Sequence, residues 1–253
     1  MKLHLITNEL RLAWLEMRQY WFETVSAMIF ILVMFIALFY GIKGFVLEDD
    51  GAQSLDGLVF GFLLWTFASG AYGSITKSVV EDTQRGYIEH LFLCPEGVVR
   101  LLLCRALADV LFSLAILTVV TYLVMWLTNT WLGINLLQFY AVLLLAAPSL
   151  VGLGLIIAGF ALVFKKVETI GAFLSIGLMG LVALDGLPLN PLTFLPFVPG
   201  ASLARDWVLN GQPLDYLSLL IVALNSAVYL AIGMKVFAVG EKAAKQRNLI
   251  GQY

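Results

Sequence analysis

Six apolar stretches constrain this chain more than anything else in it. They run from Phe22 to Phe45, Leu58 to Thr76, Leu101 to Thr128, Leu136 to Phe164, Thr169 to Leu184 and Leu214 to Val239. A helix rises about 1.5 Å per residue, so roughly 20 such residues match a hydrocarbon core about 30 Å thick. Inside that core every backbone donor and acceptor needs a partner within the protein, which favours helices for segments of this length. The fifth stretch is short for a crossing and the fourth is long enough to require tilt. With 61% hydrophobic and 13% charged residues and a mean hydropathy of +0.93, the chain carries about half the charge of a soluble domain. The sequence predicts an all-α integral membrane protein with six transmembrane helices, a single transmembrane domain over residues 1–253.

Lysines and arginines set the expected orientation. With both termini in the cytosol, thirteen of the fifteen fall inside: Lys2, Arg11, Arg18, Lys77, Arg85, Arg100, Arg105, Lys165, Lys166, Lys235, Lys242, Lys245 and Arg247. Lys43 and Arg205 stay outside, beside the acidic group Glu48, Asp49, Asp50 and Asp56. Cytoplasmic loops carry the excess of basic residues, so the chain is expected in the plasma (inner) membrane as a multi-pass protein. No strongly basic patch points to nucleic acid.

Residues 1–21 do not read as a signal peptide, because Glu9, Arg11, Glu16 and Arg18 interrupt any apolar run. Leu3, Ile6, Leu10, Ala13, Met17 and Trp21 recur at helical spacing, opposite those charges. The pattern predicts an amphipathic helix lying in the membrane interface, anchored by Trp14, Tyr20 and Trp21; the alternative is a polar start to the first span.

Residues 79–100 form a charged interlude between the second and third stretches. Glu81, Arg85 and Glu89 fall four apart and stack on one helical face, while Tyr87, Ile88, Leu91 and Phe92 line another. Such a two-faced helix either docks into a partner's groove or lies on the headgroups.

Residues 185–213 break the pattern differently. Pro188, Pro191, Pro196, Pro199 and Pro213 interrupt a strongly apolar segment, and proline removes backbone donors and blocks long helices. Broken apolar backbone survives at membrane depth only where protein or a water-filled cavity covers it. The expectation is short re-entrant helices between spans five and six, an outer gate built from Asp185, Pro188, Pro191, Pro196, Pro199 and Arg205; an ordinary outer loop is the alternative.

Catalytic and metal-binding chemistry is sparse. His4 and His90 are far apart in sequence, so no ligand cluster is visible. Cys94 and Cys104 fall on the reducing side and are expected as free thiols. Without a single Gly-Lys pair there is no phosphate-binding loop, so the chain is expected to hold no cofactor and to have no ATPase site of its own. Asp109 is accounted for by an i,i+4 pair with Arg105, and Asn225 is central in the sixth stretch, where a helix–helix hydrogen bond is the common use. Nothing resembles a proton relay.

Glu81, Gly86, Glu89, Leu91 and Pro95 fit a pattern found after the second span of ABC-2 type permeases, the membrane subunits of ATP-binding cassette exporters. Tyr87 and Cys94 depart from it, standing where that family has a threonine and a hydroxyl residue. The chain resembles this family over essentially its whole length, in the N-terminal helix, the six spans and the proline-rich outer segment followed by Arg205. The resemblance implies that Glu81, Arg85, Gly86, Tyr87, Glu89, Leu91 and Pro95 belong to a coupling helix seated in a separate ATP-binding subunit. It further implies that ATP and Mg are bound by that partner, and that two permease copies form a homodimer. Few buried charges among many apolar side chains favour a hydrophobic or amphipathic substrate, such as a lipid, a lipid-linked glycan or a drug-like molecule. An ion-coupled secondary transporter would need a midplane coupling site. A membrane-embedded enzyme or assembly factor would need to work with Asp185 and Asp206 or Asp215.

Overall fold

In the structure, a computed structural model, residues 3–43, 51–84, 97–129, 131, 133–164 and 167–246 are described. Helix α1 spans Leu3–Gln19 and meets α2, Trp21–Lys43, at Tyr20. Then come α3, Gly51–Gln84, α4, Val98–Thr128, α5, Leu136–Phe164, and α6, Glu168–Ala183. A 3₁₀ turn at Pro191–Phe194, a six-residue α7 at Val198–Leu203 and a π-helical turn at Ala204–Leu209 precede α8, Tyr216–Gln246. No strand occurs among the described residues.

Among the described residues five helices, α2, α3, α4, α5 and α8, are long and apolar enough to cross a membrane. The stretch expected as a fifth span is α6, whose 16 residues reach about 24 Å, short of a full hydrocarbon core. By contrast α3, with 34 residues, is about 50 Å long and overruns its apolar stretch at both ends.

Helix α5 is the hub. Two-thirds of its apolar window is buried, against 17% for α2, and its pairing with α8 is the most extensive among the described helices. Glycines permit that pairing. A Cβ on Gly152 would lie 2.3 Å from the carbonyl oxygen of Tyr229, and one on Gly233 would lie 2.3 Å from that of Gly152. One heptad further on, a Cβ on Gly240 would sit 2.5 Å from the carbonyl oxygen of Gly159. Backbones approach this closely in membranes because small residues let dispersion and weak polar contacts replace a missing hydrophobic drive. Ser226 adds a hydrogen bond from its hydroxyl to the carbonyl of Leu145, 2.8 Å. Around α5 the core is aromatic: Tyr72, Phe35, Phe39, Phe60, Phe67, Phe139, Phe197 and Phe237 are almost fully buried.

Candidate functional site

Arg105, two turns into α4, organises one end of the bundle. Its Nε donates to Glu9 of α1 at 3.5 Å, and its Nη1 donates to Asp82 of α3 at 3.2 Å and to the hydroxyl of Ser78. The expected i,i+4 partnership with Asp109 is therefore not what positions this guanidinium. Glu9, expected on the polar face of α1, is instead buried, only 8% exposed. Helix α1 lies along α4, with Trp14 stacked near Phe112 at 6.4 Å. A guanidinium with its fork shared between two carboxylates fixes geometry as well as charge. Here it fastens three helices near the points where the chain leaves α3 and enters α4. Gly97 makes that entry with φ of 86°, a left-handed conformation that other residues adopt only with strain.

Of the expected coupling residues, Glu81 is described: it pairs with Lys77 at 3.8 Å, and Lys77 also approaches Glu23 at 3.9 Å. These side chains are well exposed, so the pairs contribute about 0–1 kcal/mol at most. Arg85, Gly86, Tyr87, Glu89, Leu91 and Pro95 lie outside the described residues.

The proline-rich end is held by side-chain bonds to backbone. Asn190 and Thr193 cap each other reciprocally around the 3₁₀ turn, and Thr193 Oγ1 donates to the carbonyl of Gly186 at 2.5 Å. Ser202 Oγ accepts from Gly186 N at 2.7 Å. Arg205 donates through Nη2 to the carbonyls of Val182, 2.8 Å, and Leu184, 3.3 Å, closing the end of α6. Asn225 of α8 donates through Nδ2 to the carbonyls of Thr193 and Leu195 at 3.0 and 3.1 Å, and Tyr229 donates to that of Phe194 at 2.8 Å. Asn225 thus serves the broken segment, not a neighbouring span.

Among the expected gate residues, Pro196 and Pro199 are buried while Asp185, Pro188 and Pro191 are exposed. The segment folds back onto α5, α6 and α8, which is how broken apolar backbone is covered. Asp206 lies in the π-helical turn, outside the spanning helices. Burial pushes its carboxyl above the ordinary aspartate range, nearby Asp185 pushes it further, and Arg205 opposes both.

Between the two ends runs a seam where α3 faces α6. At the Lys77 end it opens into a cleft of about 370 Å³, where Tyr72, Thr76, Lys77, Glu81 and Ser175 supply polar groups beside Gly73 and the apolar Val80 and Val167. At the proline-rich end lies an apolar cavity of about 330 Å³, lined by Met34, Phe35, Leu38, Phe62, Trp65 and Met179 among others, with Arg205 the one charged residue among its described lining. Sequence reading missed this seam. Its trace in the sequence is a set of glycines at 57, 61 and 73 on α3, whose neighbourhoods would leave an added Cβ in open space.

The protein-family model for the ABC-2 type transporter matches residues 3–182. No curated protein matches the chain.

Proposed function

Since the chain belongs to the ABC-2 type transporter family and is a multi-pass membrane protein, we propose that it is the permease subunit of an ATP-driven exporter. A separate ATP-binding subunit, carrying ATP and Mg, docks on the segment from Glu81 to Pro95, and a second permease copy completes a homodimer. Both termini then face the cytosol of a cell whose plasma membrane holds the complex, as the distribution of basic residues favours. Helix α1 lies in the interface, α6 is the fifth of six crossings, and the segment at residues 185–213 re-enters from the outer face between α6 and α8. The cargo is hydrophobic or amphipathic, because both cavities of the seam between α3 and α6 are largely apolar and one of them carries Lys77 and Glu81 in its lining.

The observation that carries this reading is the Arg105 knot. The helices on either side of residues 85–96 are α3 and α4, and Arg105 joins them to each other and to α1 through Asp82 and Glu9. A push delivered between them by a partner is shared by three helices at once instead of bending a loop. The test is co-purification with the ATP-binding cassette subunit and substrate-stimulated hydrolysis for Glu89→Lys, beside Glu16→Lys in α1 as control. A reversed charge in a tight interface typically costs several kcal/mol, whereas a lysine added over anionic lipid is neutral or mildly favourable. Loss of assembly or coupling in Glu89→Lys alone is the expected result; normal assembly and coupling would defeat the docking assignment.

A further inference from the structure

Trp65 links the linings of the seam's two cavities through one hydrogen bond. It lines the apolar cavity, and its Nε1 donates at 3.1 Å to the carbonyl of Ser175, a residue that borders the Lys77 cleft. Phe62 and Phe35 extend the same wall, with ring centroids 5.8 Å from Trp65 to Phe62 and 4.3 Å from Phe62 to Phe35. On α3 the next residues toward the Lys77 cleft along this helical face are Ser69 and Tyr72. The Ser69 hydroxyl is buried with no hydrogen-bond partner among the described residues, while that of Tyr72 is buried beside Thr76. Buried hydroxyls are ordinarily satisfied, so the orphan at Ser69, one helical turn from Trp65 on the same face of α3, leaves a donor free for a polar group entering the seam.

We infer that Trp65 is the constriction residue of the seam: anchored on Ser175 it separates the Lys77 cleft from the apolar cavity, and released it joins them into one channel for an amphiphile. The head of such a molecule finds donors and acceptors at Lys77, Glu81, Thr76 and Ser175, and its chain finds Met34, Phe35 and Phe62. Trp65 suits the task because its indole presents an apolar plane to the chain and one N–H to the latch. The acceptor is a helix carbonyl, whose second lone pair is available without breaking α6. This assignment deepens the transporter reading and rests on it for cargo, yet the constriction itself can be tested without partner or ATP.

The test uses single cysteines in a Cys94→Ser, Cys104→Ser background. Gly73→Cys reports the Lys77 cleft and Gly61→Cys the apolar cavity; at both positions an added Cβ meets nothing within 4 Å, so both variants should fold. A small charged methanethiosulfonate is applied to either face of sealed membrane vesicles, and the face from which the Gly73→Cys protein labels rapidly defines the Lys77 side. With Trp65 present, the Gly61→Cys protein should label slowly from that face. Adding Trp65→Phe, which removes the latch and keeps the ring, should speed labelling of the Gly61→Cys protein roughly two- to tenfold, the range set by one net hydrogen bond. Adding Trp65→Ala should bring it toward the rate of the Gly73→Cys protein, whose own labelling stays unchanged by either substitution. Labelling of the Gly61→Cys protein that is already as fast as that of the Gly73→Cys protein, or that neither change at Trp65 alters, would overturn the assignment whatever the fate of the transporter reading.

Discussion

Replacing Gly233 by alanine isolates the contact on which the bundle depends. The new methyl carbon would start 2.3 Å from the carbonyl oxygen of Gly152, 2.8 Å from its Cα and 2.9 Å from its carbonyl carbon. All three are backbone atoms, so no side chain can rotate away, and α5 and α8 must part by about 1 Å to reach ordinary contact distance. A gap of that size forfeits a quarter to a half of the dispersion energy of each atom pair that loses contact, and the α5–α8 pairing is the most extensive among the described helices. Overpacking typically costs about 1–3 kcal/mol, and the upper part of that range applies where backbone meets backbone. In a chain of this size each kcal/mol lowers the midpoint of thermal unfolding by about 2–4 °C. The control is Gly41→Ala, where an added Cβ meets nothing within 4 Å; there the better helix propensity of alanine, worth about 1 kcal/mol in a helix interior and less in this last turn of α2, should raise the midpoint slightly. Opposite signs for the two variants, read by thermal unfolding in one detergent, are the expected result. A Gly233→Ala protein as stable as its parent would refute the close-packing argument.

Two further substitutions probe the two ends. Arg105→Gln removes the cation shared by Glu9 and Asp82, and breaking such a pair costs about 3–5 kcal/mol when fully buried; because the Arg105 side chain is 24% exposed, the loss should fall below that range and show as faster amide exchange in α1, with α8 unaffected. Asp206→Asn addresses pH. Burial and Asp185 raise the folded-state pKa of Asp206, so the folded protein holds that proton more tightly than the unfolded chain, and stability falls as pH rises from the ordinary aspartate value through the raised one. The asparagine variant escapes this penalty: its unfolding midpoint should exceed the parent's near neutral pH, and the advantage should vanish as pH drops below about 4. An advantage that persists in acid would show that charge is not its origin.

Periodicity and hydropathy made the helices legible because burial in lipid demands long apolar runs, and α2, α4, α5 and α8 emerge close to where the residues place them. Cross-helix partnerships left weaker marks. Glu9 and Arg105 are separated by 96 residues, and on sequence spacing Glu9 belongs with the charges of the polar face of α1. Arg105 has a nearer acidic neighbour in Asp109, which does interact with it electrostatically, but its hydrogen-bonded ion pairs go to Glu9 and Asp82 on other helices. Asn225 shows the same limit, since the carbonyls it serves belong to a segment whose broken path only the prolines announce. The α5–α8 glycines at 152, 159, 233 and 240 were readable in principle, as two pairs each a heptad apart, but small residues are frequent in membrane helices and spacing alone does not match one pair with the other.

Two parts of the bundle are fastened by different chemistry, and the difference bears on how motion could travel. Where α5 meets α8, glycine contacts and neutral side-chain-to-backbone bonds offer little charge for water or salt to loosen. Around α1, α3 and α4 the fastening is ionic and mostly buried, so losing one partner is costly and the three helices are held to move together. In the proposed exporter the partner's push therefore reaches three joined helices, and α3 transmits it, because α3 is one helix from Gly51 to Gln84. Asp82, in the knot, and Trp65, at the constriction, are 17 residues apart on that helix, about 25 Å along its axis. A small rotation imposed at Asp82 arrives at Trp65 as a sideways displacement of the indole from the Ser175 carbonyl, and a bond of 3.1 Å weakens steeply with misalignment. Substituting Arg105 should then alter the labelling rate of the Gly61→Cys protein as well as the exchange of α1, which places the knot and the constriction on a single mechanical element.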